Sequence, residues 1–436
     1  MHIQKEFFKY VLPSMLAFAL SGVYSIADGF FVGNALGDQA LAAINIAYPL
    51  TAVILSAGTG IGLGGAVQYA ICLGTGNTQK KDQYFGLSSL LLAITGILLT
   101  FLILMTAPYV LVLFGASGEI LALAEEYIRF IAYGAVFQVM GTGMVPFIRN
   151  MGGAMASMYA MVAGFMTNII LDYLLVWKLP YGMAGAAAAS FIGQGVTFWV
   201  CLIYLLQKKQ KLLLPMRSEC FLMLKRILTV GISPFGLAFS PNLTLILINK
   251  SAVVSGGNFA VTCYATVSYI SCVVMLLLQG ISDGAQPLIS LSYGKGDEKT
   301  AKQFRNLSYL FSAAVSAICI LLLLLCRSRI AGLFGASEAV TAEVSKILPL
   351  FTVGFLLVSF TRSTTAYFYA TEKNAAAYLL IYGESLCLLI LLLILPVLLG
   401  IWGTWISVPA SQLCVLLLSI VLLRWPLTAR TASISR

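Results

Sequence analysis

Apolar residues run along this chain in long, nearly unbroken stretches. Polar positions gather in short breaks between them. A helix needs about 20 mostly apolar residues to cross a bilayer, and runs of that length recur from end to end. The two-residue alternation of a membrane-spanning strand is absent, so the pattern predicts helices rather than a barrel. Twelve spans follow: Phe7–Gly33, Leu41–Cys72, Phe85–Pro108, Leu123–Ile148, Met155–Trp177, Gly185–Leu206, Leu228–Val254, Ala260–Tyr293, Leu307–Leu325, Val344–Ala370, Ala375–Leu399 and Trp402–Leu423. Several are longer than one crossing, which predicts tilt, bending or protrusion.

Composition agrees. Of 436 residues, 60% are hydrophobic and 10% charged, where soluble domains carry about 25% charge. The net charge of +10 reads as topology. With the N-terminus inside, 19 of the 26 Lys and Arg fall on the inner side, concentrated in Lys208–Arg226 and Lys295–Arg305 and including Arg149, Arg430 and Arg436. Arg129, Lys178, Arg327, Arg329 and Lys346 fall outside, while Lys250 and Arg362 lie within spans. This asymmetry puts both termini in the cytoplasm of a multi-pass protein of the inner (plasma) membrane, and it makes nucleic acid a poor partner. The nine cysteines show no paired spacing and read as small packing residues.

The chain also repeats itself. LFGAS occurs at Leu113–Ser117 and again at Leu333–Ser337, 220 residues later. At the same offset Gly64 meets Gly284, Gly74 and Gly76 meet Gly294 and Gly296, and Gln83 meets Gln303. The offset is 221 near the start, pairing Pro13 with Pro234 and Asp28 with Asn249. It is 218 near the end, pairing Gly182 and Gly185 with Gly400 and Gly403. Six spans per half give both halves one orientation, related by an axis along the membrane normal, as in parallel-repeat transporters. The expected organisation is an N-terminal lobe (1–207), a basic linker (208–226) and a C-terminal lobe (227–436), with a cleft between two like bundles.

Charged side chains at the bilayer centre cost roughly 2.5–3.5 kcal/mol on insertion scales, so those retained are candidates for function. Asp28 lies about 8 Å from the outer end of its span, Asp172 about 9 Å and Ser190 about 12 Å, at 1.5 Å per residue. Asn168 shares a helix face with Asp172. These oxygens suit a proton or a small hard cation, because two carboxylates at low dielectric repel unless one is protonated or an ion sits between them. The alternative is polar glue between helices, which suits Asn168 alone better than two acids. Asn249, Leu388 and Leu392 stand opposite Asp28, Asn168 and Asp172, so the second half lacks the set. Its own polar residues are Asp283 and Gln286, within QGISDGAQP, and Arg362 and Glu384. The last two read either as a salt bridge or as part of a substrate or proton path. Tyr24, Tyr48, Tyr133 and Phe137 are candidate cleft-facing aromatics.

No phosphate-binding loop of the GxxxxGK[ST] type is present, so the chain has no ATP motor of its own. His2 is the only histidine and GxSxG is absent, which argues against catalytic triads and His-ligated zinc. An enzyme is not expected.

Pro13 and Asp28 in the opening span, the DGFFVGNALG that closes it, NIILD from Asn168, GMAGAAAAS from Gly182 and QGISDGAQPLISLSYGKG from Gln279 together resemble the multidrug and toxic compound extrusion (MATE) family, in its DinF/MepA-like branch. The resemblance implies an all-α, twelve-helix protein of two six-helix lobes around a V-shaped cleft. It implies export of lipophilic, often cationic small molecules by antiport with H+ or Na+, through alternating access, by a monomer without other cofactors. The family's cation site would fall on Asp28, Asn168 and Asp172, with Na+ as a possible guest. Ser190 would stand where relatives carry threonine. A flippase for lipids or lipid-linked sugars is the alternative; such proteins line the cleft with Arg and Lys, and here only Arg362 and Lys250 lie within spans.

Overall fold

A computed structural model describes residues 2–334 and 336–424, with the side chains of residues 333 and 334 left aside. Arg430, Arg436 and the Gly335 of the second LFGAS lie outside the described residues. Among the described residues the chain is helical throughout, with no strand. The helices are α1 (His2–Leu36), α2 (Asp38–Gly74), α3 (Thr78–Leu113), α4 (Gly118–Tyr133), α5 (Ala135–Asn150), α6 (Ala154–Asp172), α7 (Gly182–Gln207), α8 (Arg217–Gly294), α9 (Glu298–Cys326), α10 (Glu338–Ala370), α11 (Asn374–Leu399) and α12 (Ile401–Arg424). Only helices satisfy every backbone group internally while presenting apolar side chains to lipid, so long apolar runs have no other stable form.

Two of these elements depart from one helix per span. α8 has 78 residues, roughly 115 Å at 1.5 Å per residue, far more than one bilayer. It breaks at Gly257, where φ is 67° and ψ −166°, and so supplies the expected seventh and eighth spans. The expected fourth span, Leu123–Ile148, is instead two helices, α4 and α5, bent by 56°. The bend falls at Gly134, where a Cβ would collide with Phe191 of α7. Counting the bent pair once and α8 twice, the described residues hold twelve crossings.

The internal duplication has a backbone signature. Gly37 and Gly257, 220 residues apart, close the first crossing of each half at φ 84° and 67°. Gly76 and Gly296 turn at 77° and 75°, and Gly182 and Gly400 at 61° and 59°. These left-handed turns are strained for any residue with a Cβ. At one such pair the second half has lost its glycine: Gly152 (φ 87°) is matched by Glu372 (φ 57°).

The chain forms two compact units. One comprises Phe8–Phe239 with Ser290–Asp297; the other comprises Met1–Phe7, Ser240–Ile289 and Glu298–Arg436. In the first, the glycine-rich face of α2 is buried against backbone. Gly58 meets the carbonyl of Val139, Gly60 that of Gly231, and Gly62 packs on Gly143. Tyr69, Phe85 and Phe147 cluster edge to face at 5.3–6.0 Å. The segment expected as a linker is extended only as far as Met216; Arg217 already begins α8. It is tied down by Gln210, whose Nε2 donates to Asp82 (2.8 Å) and whose Oε1 accepts from Tyr69 (3.3 Å). Arg149, counted above as an inner-face charge, is 2% exposed at the last turn of α5, where a cation complements the helix dipole. In the other unit the core is Tyr264, Phe351 and Trp405, with centroids 5.9–6.1 Å apart, packed with Leu388 and Leu392.

Candidate functional site

Three helices of the first unit carry the polar set. α1 supplies Asp28 and Tyr24, α6 supplies Asn168 and Asp172, and α7 supplies Ser190. The approach of α6 to α7 is set by two glycines. A Cβ on Gly164 would lie 2.7 Å from the Gly193 carbonyl, and one on Gly193 would lie 2.8 Å from the Gly164 carbonyl. With both side chains missing the helices nearly touch, one turn below Asn168. That brings Asn168 Nδ2 to donate to Ser190 Oγ at 3.3 Å. Tyr24 stacks on Phe165 of α6, with ring centroids 5.2 Å apart and planes at 8°.

The carboxyl groups of Asp28 and Asp172 lie within hydrogen-bonding reach of each other. Asp172 is fully buried and Asn168 is 2% exposed. Among the described residues, no donor reaches either carboxylate oxygen of Asp172 or the amide oxygen of Asn168. Three buried acceptors beside a second carboxyl therefore lack a positive partner. Unmatched buried acceptors are costly; a proton on one acid, or a cation among the oxygens, supplies what the protein does not. No group of three or more His, Cys, Asp and Glu forms a metal centre among the described residues, and all the ligand atoms on offer are hard oxygens, which favour hard cations over soft ones.

Just past Asp172, α6 widens into a π-helical turn, Tyr173–Lys178. Such turns often mark functional sites. Here the turn carries Tyr173 and Trp177 against Phe30 and Phe31 of α1, with centroids 6.1–6.4 Å apart. The acids thus sit on the two helices just before an aromatic contact that joins them.

Of the guessed aromatics, Tyr24 lies within electrostatic range of Asp28 and Asp172, and Tyr48 within range of Tyr24. Tyr133 is exposed and Phe137 packs on Phe198 at 6.1 Å. Tyr127 of α4, which the sequence did not single out, is buried within electrostatic range of Asp28 and Asp172. Its signal was present in the buried stripe Ala124, Tyr127, Ile128 and Ile131, which points a tyrosine inward from a charged helix.

The second half replaces the site with hydrocarbon. At offsets of 218–221, Tyr24, Tyr127, Asn168, Asp172 and Ser190 correspond to Leu245, Ile347, Leu388, Leu392 and Val408, all members of or packed on the Tyr264–Phe351–Trp405 cluster. Asn249, opposite Asp28, keeps a buried amide oxygen without a partner. The other predicted polar residues are separate from this cluster in sequence. Asp283 is buried and accepts from Gln279 Nε2 at 2.7 Å and from Tyr369 Oη at 3.4 Å. Gln286, one turn on, is fully buried. Arg362 of α10 and Glu384 of α11 lie within electrostatic range of each other but form no salt bridge among the described residues, so the salt-bridge reading of the pair is not met.

Fold and site together define a duplicated, twelve-crossing helical membrane protein with a facing pair of buried acids in one half only. The family model described as MatE matches residues 13–174 and again 234–395, repeating at the 221-residue offset read from Pro13 and Pro234. The chain belongs to the MatE family. It is 25% identical over 441 residues to the multidrug export protein MepA of Staphylococcus aureus, covering 99% of this chain and 96% of that protein. It is 23% identical over 435 residues to the MepA of Staphylococcus saprophyticus. Its fold matches a MOP superfamily transporter from Pyrococcus furiosus, described as having a binding pocket of reverse polarity that suggests a different function, at a TM-score of 0.90, 23% identity and 97% and 95% coverage of the two chains. It also matches an outward-facing multidrug resistance MATE family transporter at 0.89, with 22% identity and the same coverage.

Proposed function

We propose that this protein is a secondary active efflux transporter of the plasma membrane, with both termini cytoplasmic. It exports lipophilic, often cationic compounds by antiport with H+ or Na+ through alternating access. The observation that carries the reading is the set of orphaned oxygens on Asp172 and Asn168 beside Asp28. A proton or Na+ is held there as a transported substrate, by Asp28, Asn168 and Asp172, with Ser190 fixing the amide. Because proton and cation neutralise the same carboxyls, each displaces the other. The change of charge on arrival and departure biases a bistable helix bundle. The names of the curated relatives, multidrug export proteins, support the substrate class. Asp283, Gln286, Arg362 and Glu384 are assigned to the substrate path.

The test uses proteoliposomes loaded with a fluorescent cationic dye, with proton and sodium gradients imposed separately. Dye movement driven by at least one gradient is expected, and its loss in Asp28→Asn and Asp172→Asn proteins that still insert. Full transport by both variants refutes the role of the acids. Lipid scrambling with neither gradient moving dye replaces the exporter by a flippase.

A further inference from the structure

Two cations of the C-terminal unit share one aromatic ring. Arg305, in the third turn of α9, holds its guanidinium 4.9 Å from the centre of the Tyr367 ring of α10. Lys373, the residue before α11, holds its Nζ 5.5 Å from the same centre. Tyr309 flanks the guanidinium at 5.5 Å, and its hydroxyl is bonded to that of Thr364 at 2.7 Å. Tyr367 is buried, so the ring is a fixed floor for both charges. Neither cation has a carboxylate partner among the described residues. Glu298 at this end of α9 pairs with Lys302 instead, at 3.4 Å. The guanidinium donates from Nε and Nη2 to a single acceptor, the amide oxygen of Asn306, at 3.2 and 2.9 Å. An aromatic face attracts each cation, but the two like charges repel each other, and an anion beside them relieves that.

The fold does not require these charges. At the 220-residue offset Arg305, Tyr367 and Lys373 correspond to Phe85, Phe147 and Gly153. The first half closes the same place with two phenylalanines edge to face, 5.3 Å apart. Arg305 and Lys373 are both partly exposed. Asn306 is exposed, and the exposed side of α9 continues from it through Leu310, Leu321 and Leu325. A stripe of exposed leucines on a spanning helix is a surface for acyl chains, and the two cations stand at its polar end.

We propose that Arg305 and Lys373 bind the phosphate of an anionic phospholipid whose chains lie along the exposed leucines of α9. Arginine meets a phosphate with a two-pronged fork, and lysine adds a point charge. Basic pockets between spanning helices take such headgroups. The leaflet is the cytoplasmic one on the orientation proposed above; the site itself depends neither on that orientation nor on what the protein transports.

Purified full-length protein in a non-ionic detergent is titrated with phosphatidylglycerol and, separately, with phosphatidylcholine of the same chains, and retained lipid is counted by native mass spectrometry. The tightest phosphatidylglycerol is expected to be held at least about tenfold more strongly than phosphatidylcholine. Arg305→Phe, which recreates the ring pair of the first half, and Lys373→Gln should each lower it to the phosphatidylcholine level, while Arg305→Lys keeps part of the preference. A phosphatidylglycerol with a photoactivatable headgroup should label the native protein within residues 298–373, a reading that stands even where a variant fails to fold. Equal retention of the two lipids, an unchanged preference in either of the first two variants, or labelling confined to other segments overturns the proposal. So does full displacement of the lipid by millimolar inorganic phosphate, which would make this a site for free anions.

Discussion

Replacing Asp172 by Asn separates the structural cost of the acid pair from its use. In the native protein both carboxylate oxygens of Asp172 are buried without a donor while Asp28 lies within reach. Asparagine has the same shape, removes one of two facing charges and offers an NH2 group to Asp28. A hydrogen bond to a charged group contributes about 1.5–3 kcal/mol, and an unsatisfied buried acceptor costs about 1–3 kcal/mol. In the absence of any coupling cation, Asp172→Asn is therefore expected to be more stable than the native protein by about 2 kcal/mol. Added cation should act in the opposite sense on the pair. At a hundredfold excess over its dissociation constant, an ion that binds only the folded protein adds about 2.7 kcal/mol. The native protein should gain that increment and the variant should not. The assay is the thermal unfolding midpoint of purified protein in detergent, followed by intrinsic tryptophan fluorescence at fixed pH, with sodium titrated against choline. Protons are varied in a second series. A variant less stable than the native protein without cation, yet still stabilised by cation, refutes the reasoning: Asp172 would then be a structural hydrogen-bonding residue and the guest would bind elsewhere.

Other consequences follow from packing. Gly62→Ala drives a Cβ into the backbone of Gly143 and should destabilise by about 1–3 kcal/mol; Gly195→Ala, with open space around it, should be neutral or stabilising by up to about 1 kcal/mol, and unfolding midpoints compare the two. Leu392→Asp should not create a second ion site: the charge enters the Tyr264–Phe351–Trp405 cluster without a partner, so folded yield should drop, by at least about 3 kcal/mol of stability, with no new cation-dependent rise. Gln210→Ala removes the bonds that hold the interlobe segment to Asp82 and Tyr69, and limited trypsin should then cut at Lys208–Lys211 several times faster while the helices stay intact.

What the chain alone determined is what lipid determines. A bilayer forbids unpaired backbone over about 30 Å, so apolar run length dictates helix, crossing and approximate ends. The twelve runs became twelve crossings, and repeated glycines marked the duplication because their left-handed turns recur in both halves. Helical spacing put Asn168 and Asp172 on one face, and equal depth suggested Asp28 and Ser190 as companions. Run length carries no information on lateral neighbours, however. That α6 and α7 touch through Gly164 and Gly193, so that Ser190 meets Asn168, was decided by how helices pack on one another. So were the bend at Gly134 under Phe191, the burial of Arg149, and the arrival of Tyr127 within electrostatic range of the acids. The leucines standing opposite the acids were visible as an absence; only the folded C-terminal unit turned that absence into a filled apolar core. Depth along the membrane normal is a one-dimensional quantity that a sequence encodes directly, whereas contact within the membrane plane depends on which small residues let which helices close, and that is settled by the whole bundle at once.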